Sequence, residues 1–194
     1  MRIGYAYDRF YNGYGRSPSL ITHYTLRIPK QKRFTMSVET VKEYLKQFGA
    51  DERVVEFDVS SATVELAAVA VGVEGARIAK TLSFKGSDGV ILVVMAGDAK
   101  IDNRKYKDFF GLKAKMLSHV EALELTGHPV GGVCPFAVKE GVTVYTDISL
   151  KRFSTVFPAA GSASSAIELS CDELFEFSKA AEWVDVCKGG QNEQ

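Results

Sequence analysis

The sequence predicts an α/β fold built on one mixed, curved β-sheet with short helices packed around it. Two observations carry that expectation. Strand-like alternation and helix-like spacing follow one another irregularly, without the steady βαβ rhythm of a doubly wound fold. In the middle of the chain, "ARIAKTLSFKGSDGVILVVMAGD" holds two strand-like runs separated by Gly86, Ser87, Asp88 and Gly89, a hairpin signal. A third observation bounds the answer: 194 residues at 46% hydrophobic content suffice for one domain with its own core.

The elements follow in order. Ser37 is placed to cap a helix through "VETVKEYLKQF", where Val38, Val41, Leu45 and Phe48 recur at three or four and Gly49 supplies the stop. "RVVEFDV" alternates as a strand, and "SATVELAAVAVG" returns to a short helix ending at Gly72. After the hairpin, whose Ile91–Met95 run is apolar on both faces and so belongs inside the sheet, "NRKYKDFFG" and "SHVEALELTG" read as amphipathic helices. "VTVYTDISL", "STVFPAAGS" and "SAIELS" are strand-like, "CDELFEFSKAA" is a helix and "WVDVC" a closing strand. There is no internal repeat.

Charge and cysteine usage exclude several classes. The formal charge is zero, with 24 basic and 24 acidic side chains, so no global basic field points to a polyanion. Residues 1–36 nevertheless carry seven Lys or Arg against one acid, which leaves the remainder at 17 basic to 23 acidic, a net of −6. The basic, tyrosine-rich residues 1–35 read as an extension, either disordered or a start-site artefact, before a domain at 36–188 and a tail at 189–194. The extension lacks the apolar centre and cleavage site of a secretory signal. Cys134, Cys171 and Cys187 are odd in number and lack CxxC spacing, which fits reduced thiols in the cytoplasm. No apolar run approaches the roughly 20 residues that cross a bilayer.

Several positions stand out chemically. Period two puts Lys80 on the same strand face as Ile78, Leu82 and Phe84, where an ammonium needs a polar partner, a pocket or a route to water. "TGHPVGGVCPF", Thr126–Phe136, packs three glycines and two prolines around Cys134 and His128, a shaped loop rather than a regular element. Cys134 with His128 superficially resembles a thiol–imidazole pair, though a free cysteine is more often a small buried hydrophobe. Gly131, Gly132 and Pro135 allow close backbone approach to a carbonyl or oxyanion. Asp98 and Asp102 bracket a turn without a third ligand, so no metal is assigned, and Asp147 reads as a cap. Ser162 and Ser164 mark a second small-residue loop.

From about Met36 to Lys188 these landmarks resemble the YbaK/EbsC family of aminoacyl-tRNA deacylases, related to the editing insertion of bacterial prolyl-tRNA synthetases. The matching stretches are "IAKTLSFK", "AGDAKID", "GGVCPF", "VYTDISL" and "AAGS" before "AIELS", in that order. The resemblance implies a hydrolase without metal or organic cofactor that removes a wrong amino acid, Cys or Ala, from tRNA(Pro) in trans. It implies Lys80 as the catalytic lysine and Gly131, Gly132, Val133, Cys134, Pro135, Gly161 and Ser162 as substrate-binding residues, with Gly131 to Pro135 the Gly-x-x-x-Pro loop. Its partners would be the aminoacyl-tRNA and, for delivery, prolyl-tRNA synthetase or an elongation factor. Ala137 stands where the family pattern leads one to expect glycine. Two other readings stay open: a non-catalytic module that binds aminoacyl-tRNA, an amino acid or a synthetase, which the acidic balance favours, and a thiol enzyme using Cys134.

Overall fold

A computed structural model describes residues 37–58 and 63–190. The expected N-terminal extension lies outside the described residues. Within them the chain forms a mixed α/β fold on a six-stranded sheet whose strands stand in the order β8 (Leu169–Ser170), β6 (Thr155–Pro158), β2 (Ile78–Lys85), β3 (Val90–Ala96), β5 (Val142–Asp147) and β9 (Glu182–Val184). Its centre is the hairpin. β2 (Ile78–Lys85) and β3 (Val90–Ala96) pair antiparallel from Lys85 opposite Val90 to Ala79 opposite Ala96, with Lys80 opposite Met95. β5 (Val142–Asp147) runs parallel to β3 on one side, and β6 (Thr155–Pro158) parallel to β2 on the other. β9 (Glu182–Val184) and β8 (Leu169–Ser170) complete the edges. Every residue of β3 is buried, as its unbroken apolar run requires of a strand covered on both faces.

Two small pairs flank this sheet: β1 (Val54–Glu56) with β7 (Ser165–Ile167), and β4 (Lys100–Ile101) with β10 (Cys187–Lys188). The helices begin and end on the residues that favour those positions. α1 (Val38–Leu45) is capped by the Ser37 side chain, which accepts from Thr40 N–H, and it buries Val38, Val41 and Leu45. α2 (Val64–Val71), α3 (Asn103–Phe110) and α4 (His119–Thr126) stop at Gly72, Gly111 and Gly127, each in the left-handed region. α5 (Cys171–Phe177) starts with a capping box formed by Ser170 and Glu173.

Strand lengths depart from the alternation. Among the described residues of "RVVEFDV", β1 covers only Val54–Glu56: Arg53 is still in a 3-10 turn, Phe57 and Asp58 lie beyond the strand, and Val59 lies outside the described residues. β5 ends at Asp147, whose carboxylate accepts from Ser149 N–H and starts a 3-10 turn over Ile148–Arg152. "WVDVC" divides between β9 and β10, which belong to different sheets. At β5 a local polar cap, and at β9 and β10 the choice of partner strand, overrides the period. Among the described residues no helix is long and apolar enough to cross a membrane.

Candidate functional site

One cleft, with a volume of about 470 Å³, opens over the hairpin and is lined by residues from seven parts of the chain. β2 contributes Ile78 to Ser83, α2 contributes Val64 and Ala67, and the segment before α4 contributes Met116 and Leu117. His119, the Val130–Gly131–Val133 stretch, Phe157 with Ala159, and the Ser162–Ala166 segment complete it.

Lys80 is half-buried at this wall. Its Nζ donates to Gly97 O at 2.8 Å and Ala99 O at 2.5 Å, both in the turn that follows β3. An ammonium carries three donors, so these carbonyls engage two of them and leave one. Burial holds its pKa below the ordinary lysine value; Cys187, Asp98 and Glu65 act in the opposite sense, and Lys100 adds to the depression. Gly97 is required there. A Cβ at that position would lie 2.0 Å from Gly75 O and 2.7 Å from a Val64 methyl, so the turn can approach α2 only without a side chain.

The two small-residue loops singled out in the sequence touch one another. A Cβ on Gly132 would sit 3.0 Å from Ala163 N and 3.1 Å from Ser162 C, so the 126–136 loop packs backbone to backbone against the serine loop. Gly131, at φ 91°, lines the cleft, and Gly132 N–H closes a turn onto Pro129 O at 2.9 Å. Ser162 Oγ bonds to the hydroxyls of Ser164 (3.3 Å) and Ser165 (3.0 Å), which fixes the opposite wall.

Of the residues expected from sequence, Lys80, Gly131, Val133 and Ser162 therefore share the cleft. Gly132, Cys134, Pro135 and Gly161 do not line it. Gly132 and Gly161 act on its shape: Gly161, at φ 99°, lies where a Cβ would meet Ser37 O at 2.6 Å, so it docks the serine loop on the start of α1. Pro135 lines a separate surface cleft with Tyr44, Ala137 and Lys139. Cys134 is fully buried, its Sγ 3.5 Å from His128 Nε2, and burial pushes the thiol up to about 12. The same burial lowers His128 to about 4. A neutral imidazole facing a protonated thiol away from the cleft is a packed pair, which removes the basis for a Cys134 thiolate nucleophile.

Sequence reasoning missed Thr81, Met116, His119 and Phe157. Thr81 Oγ1 is buried without a hydrogen-bond partner among the described residues, leaving a polar group free in the cleft wall. Its only sequence signal was its place beside Lys80; Met116 comes from a connecting segment with no periodicity to read, and His119 opens α4, where the helical spacing marks the element but not its first residue as a cleft residue. Among the described residues, no group of three or more His, Cys, Asp or Glu converges as a metal site would require. Asp102 instead caps α3, accepting from Arg104 and Lys105 N–H, and Asp98 pairs with Arg152.

Comparison with known proteins places the chain among relatives. A family model described as an aminoacyl-tRNA editing domain matches residues 58–177, which include Lys80, the 126–136 loop and Ser162. The Bacillus subtilis (strain 168) protein YwhH, described as uncharacterized, is 57% identical over 154 residues, 79% of this chain and 98% of that protein. The proline–tRNA ligase of Thermosipho melanesiensis is 30% identical over 125 residues, 64% of this chain; the match spans only 22% of the ligase. A solved structure described as a candidate trans-editing enzyme for prolyl tRNA synthetase superposes with a TM-score of 0.71 at 29% identity, covering 78% of this chain and 97% of that one.

Proposed function

The chain belongs to the aminoacyl-tRNA editing domain family, and from that premise we propose that it is a trans-acting deacylase for mischarged tRNA(Pro), with Lys80 as its central residue. The observation that carries this reading is the Lys80 ammonium, half-buried at the wall of the cleft and held by two backbone carbonyls. It keeps one donor for a substrate oxygen.

The reaction needs little machinery. Water adds to the ester carbonyl carbon, the bond to the ribose oxygen breaks, and that oxygen leaves as a hydroxyl after taking a proton. Lys80 sits where a positive charge can orient the ester and the terminal ribose and oppose the negative charge that grows on the carbonyl oxygen. Gly131 brings backbone to the other side of the cleft, and the serine loop closes the third. A synthetase pocket separates amino acids differing by one methylene by only about 1–3 kcal/mol, so a smaller competitor of proline needs a second site that admits it. Ala79, Ala159, Ala166 and Val133 give the cleft an apolar lining that an alanine or cysteine side chain can contact. Delivery by prolyl-tRNA synthetase or an elongation factor fits an acidic domain, because the carrier then supplies most phosphate contacts.

The test is deacylation of Ala-, Cys-, Ser- and Pro-tRNA(Pro) by wild type and Lys80→Ala in parallel. One mischarged species is hydrolysed by wild type, and Lys80→Ala lowers that rate by about 10²–10³-fold, the scale of losing one oxyanion-directed donor. A folded Lys80→Ala protein with the wild-type rate removes the central role of Lys80. No hydrolysis by wild type, with synthetase added, favours the binding module that the net charge of −6 over residues 37–194 also suits.

A further inference from the structure

The turn that holds Lys80 is itself held. Gly97 O and Ala99 O, the two acceptors of the ammonium, stand on either side of Asp98. The Asp98 carboxylate is ion-paired with Nη2 of Arg152, whose Nε donates to Ser149 O at 2.8 Å. The Arg152 side chain is only 18% exposed. Its guanidinium lies 4.8 Å from the Phe153 ring centre and against Gly190, where a Cβ would meet Nη1 at 2.6 Å. Ser149 continues the chain of contacts: its Oγ accepts from Ala96 N–H, the last residue of β3, and its own N–H donates to Asp147. Asp147 is buried and accepts a second bond from Val186 N–H at 2.9 Å.

An isolated surface ion pair contributes little, because ordering two long side chains offsets the Coulomb gain. Arg152 differs in kind: packing against Phe153 and Gly190 has already fixed its rotamer, and its planar fork joins two elements at once. We propose that Arg152 is a positioning residue for Lys80, acting through Asp98 to fix the Gly97–Ala99 turn so that both carbonyls hold the ammonium at the cleft wall. This rests on the reading of Lys80 given above. Without the guanidinium, the Asp98 carboxylate is released as a competing anion near Lys80 and draws its ammonium away from the ester.

The experiment compares Arg152→Gln and Arg152→Lys with wild type in the full chain. For the mischarged tRNA that wild type hydrolyses, kcat of Arg152→Gln falls by about 10- to 100-fold, the scale of a small misplacement of a reacting group. KM and the melting midpoint stay at their wild-type values, and Arg152→Lys recovers part of the rate. An unchanged kcat overturns the proposal; so does a raised KM with kcat intact, which would put Arg152 in contact with the RNA instead. A readout independent of turnover is the NMR titration of the Lys80 13Cε, assigned by its loss in Lys80→Arg. The charged and titratable groups facing Lys80 are Cys187, Asp98, Lys100 and Glu65, and Arg152→Gln leaves them all in place while unpairing Asp98. The Lys80 midpoint therefore moves to higher pH. If wild type hydrolyses nothing, the functional reading fails on its own, and this titration decides the clamp: an unmoved midpoint overturns it.

Discussion

At Gly97 and Cys134, single atoms decide what the site can be. A Cβ at position 97 would lie 2.0 Å from a carbonyl oxygen, a contact no rotamer relieves, so Gly97→Ala must push the Lys80-holding turn away from Gly75. The expected cost is about 1–3 kcal/mol by urea unfolding, the range for overpacking, together with loss of deacylation. An unchanged unfolding midpoint would mean the turn yields freely. Cys134, with its thiol at about 12 and no exposure, is expected to resist iodoacetamide at neutral pH in the folded protein, and Cys134→Ala should deacylate at the wild-type rate. Native-state alkylation with matching loss of activity would restore the thiol-enzyme reading. Lys80 was legible because a charged residue on an apolar strand face is conspicuous in one dimension. The Cys134–His128 contact was legible too, six residues apart, yet its meaning was not, since only packing reveals that both groups are sealed from the cleft.

The loop from Thr126 to Phe136 carries a buried imidazole that couples its stability to pH. His128 in the native protein has its pKa near 4, below the ordinary value of about 6.5, because burial disfavours the imidazolium. Between these values the unfolded chain binds a proton that the native chain refuses. Stability conferred by the buried neutral ring is therefore complete above about pH 6.5 and lost as pH falls toward 4, roughly 3 kcal/mol over the window. Glu121 and Glu173, both lowered to about 2 by hydrogen bonds to Lys85 and Arg53 respectively, lose their contributions only at lower pH, from about 4.5 downward. Melting midpoints between pH 6.5 and 4.5 should fall in wild type and much less in His128→Gln; equal slopes would show that His128 is not the group responsible. Helix ends were the most readable elements, since Ser37, Gly72, Gly111 and Gly127 stand where the backbone needs a cap or positive φ. Strand ends were not. β5 stops because Asp147 caps the next turn, and β1 begins only at Val54 because Arg53 belongs to a turn, decisions taken by hydrogen bonds that alternation does not encode.

Over the whole molecule, charge is unevenly placed. Residues 100–115 carry six basic and two acidic side chains, within a domain otherwise dominated by acids. Lys107, Lys113 and Lys115 are exposed on α3 and the segment that leads to Met116 at the cleft. If tRNA reaches the cleft along this segment, Lys107→Glu with Lys113→Glu lowers kcat/KM for mischarged tRNA and flattens its dependence on log salt by about 2, near one unit per phosphate contact. Hydrolysis of an aminoacyl-adenosine fragment, which lacks those phosphates, should be unaffected. An unaltered salt slope would mean the RNA approaches elsewhere.

By itself the sequence determined the hairpin at the centre of the sheet, most helix boundaries, and the family, because those follow from periods, caps and motifs that are local in the chain. Tertiary structure alone decided which of the marked residues share the cleft. Lys80, Gly131, Val133 and Ser162 meet there, while Cys134 and Pro135, one and two residues beyond Val133, turn into the core and onto another surface. The reason is physical: a glycine-rich loop has no period that fixes the direction of its side chains, so that direction is set by what the loop packs against, here the backbone of Ser162 and Ala163. The Arg152–Asp98 pair, 54 residues apart in the chain, belongs to the same class, visible only once the folded chain has brought the two charges together.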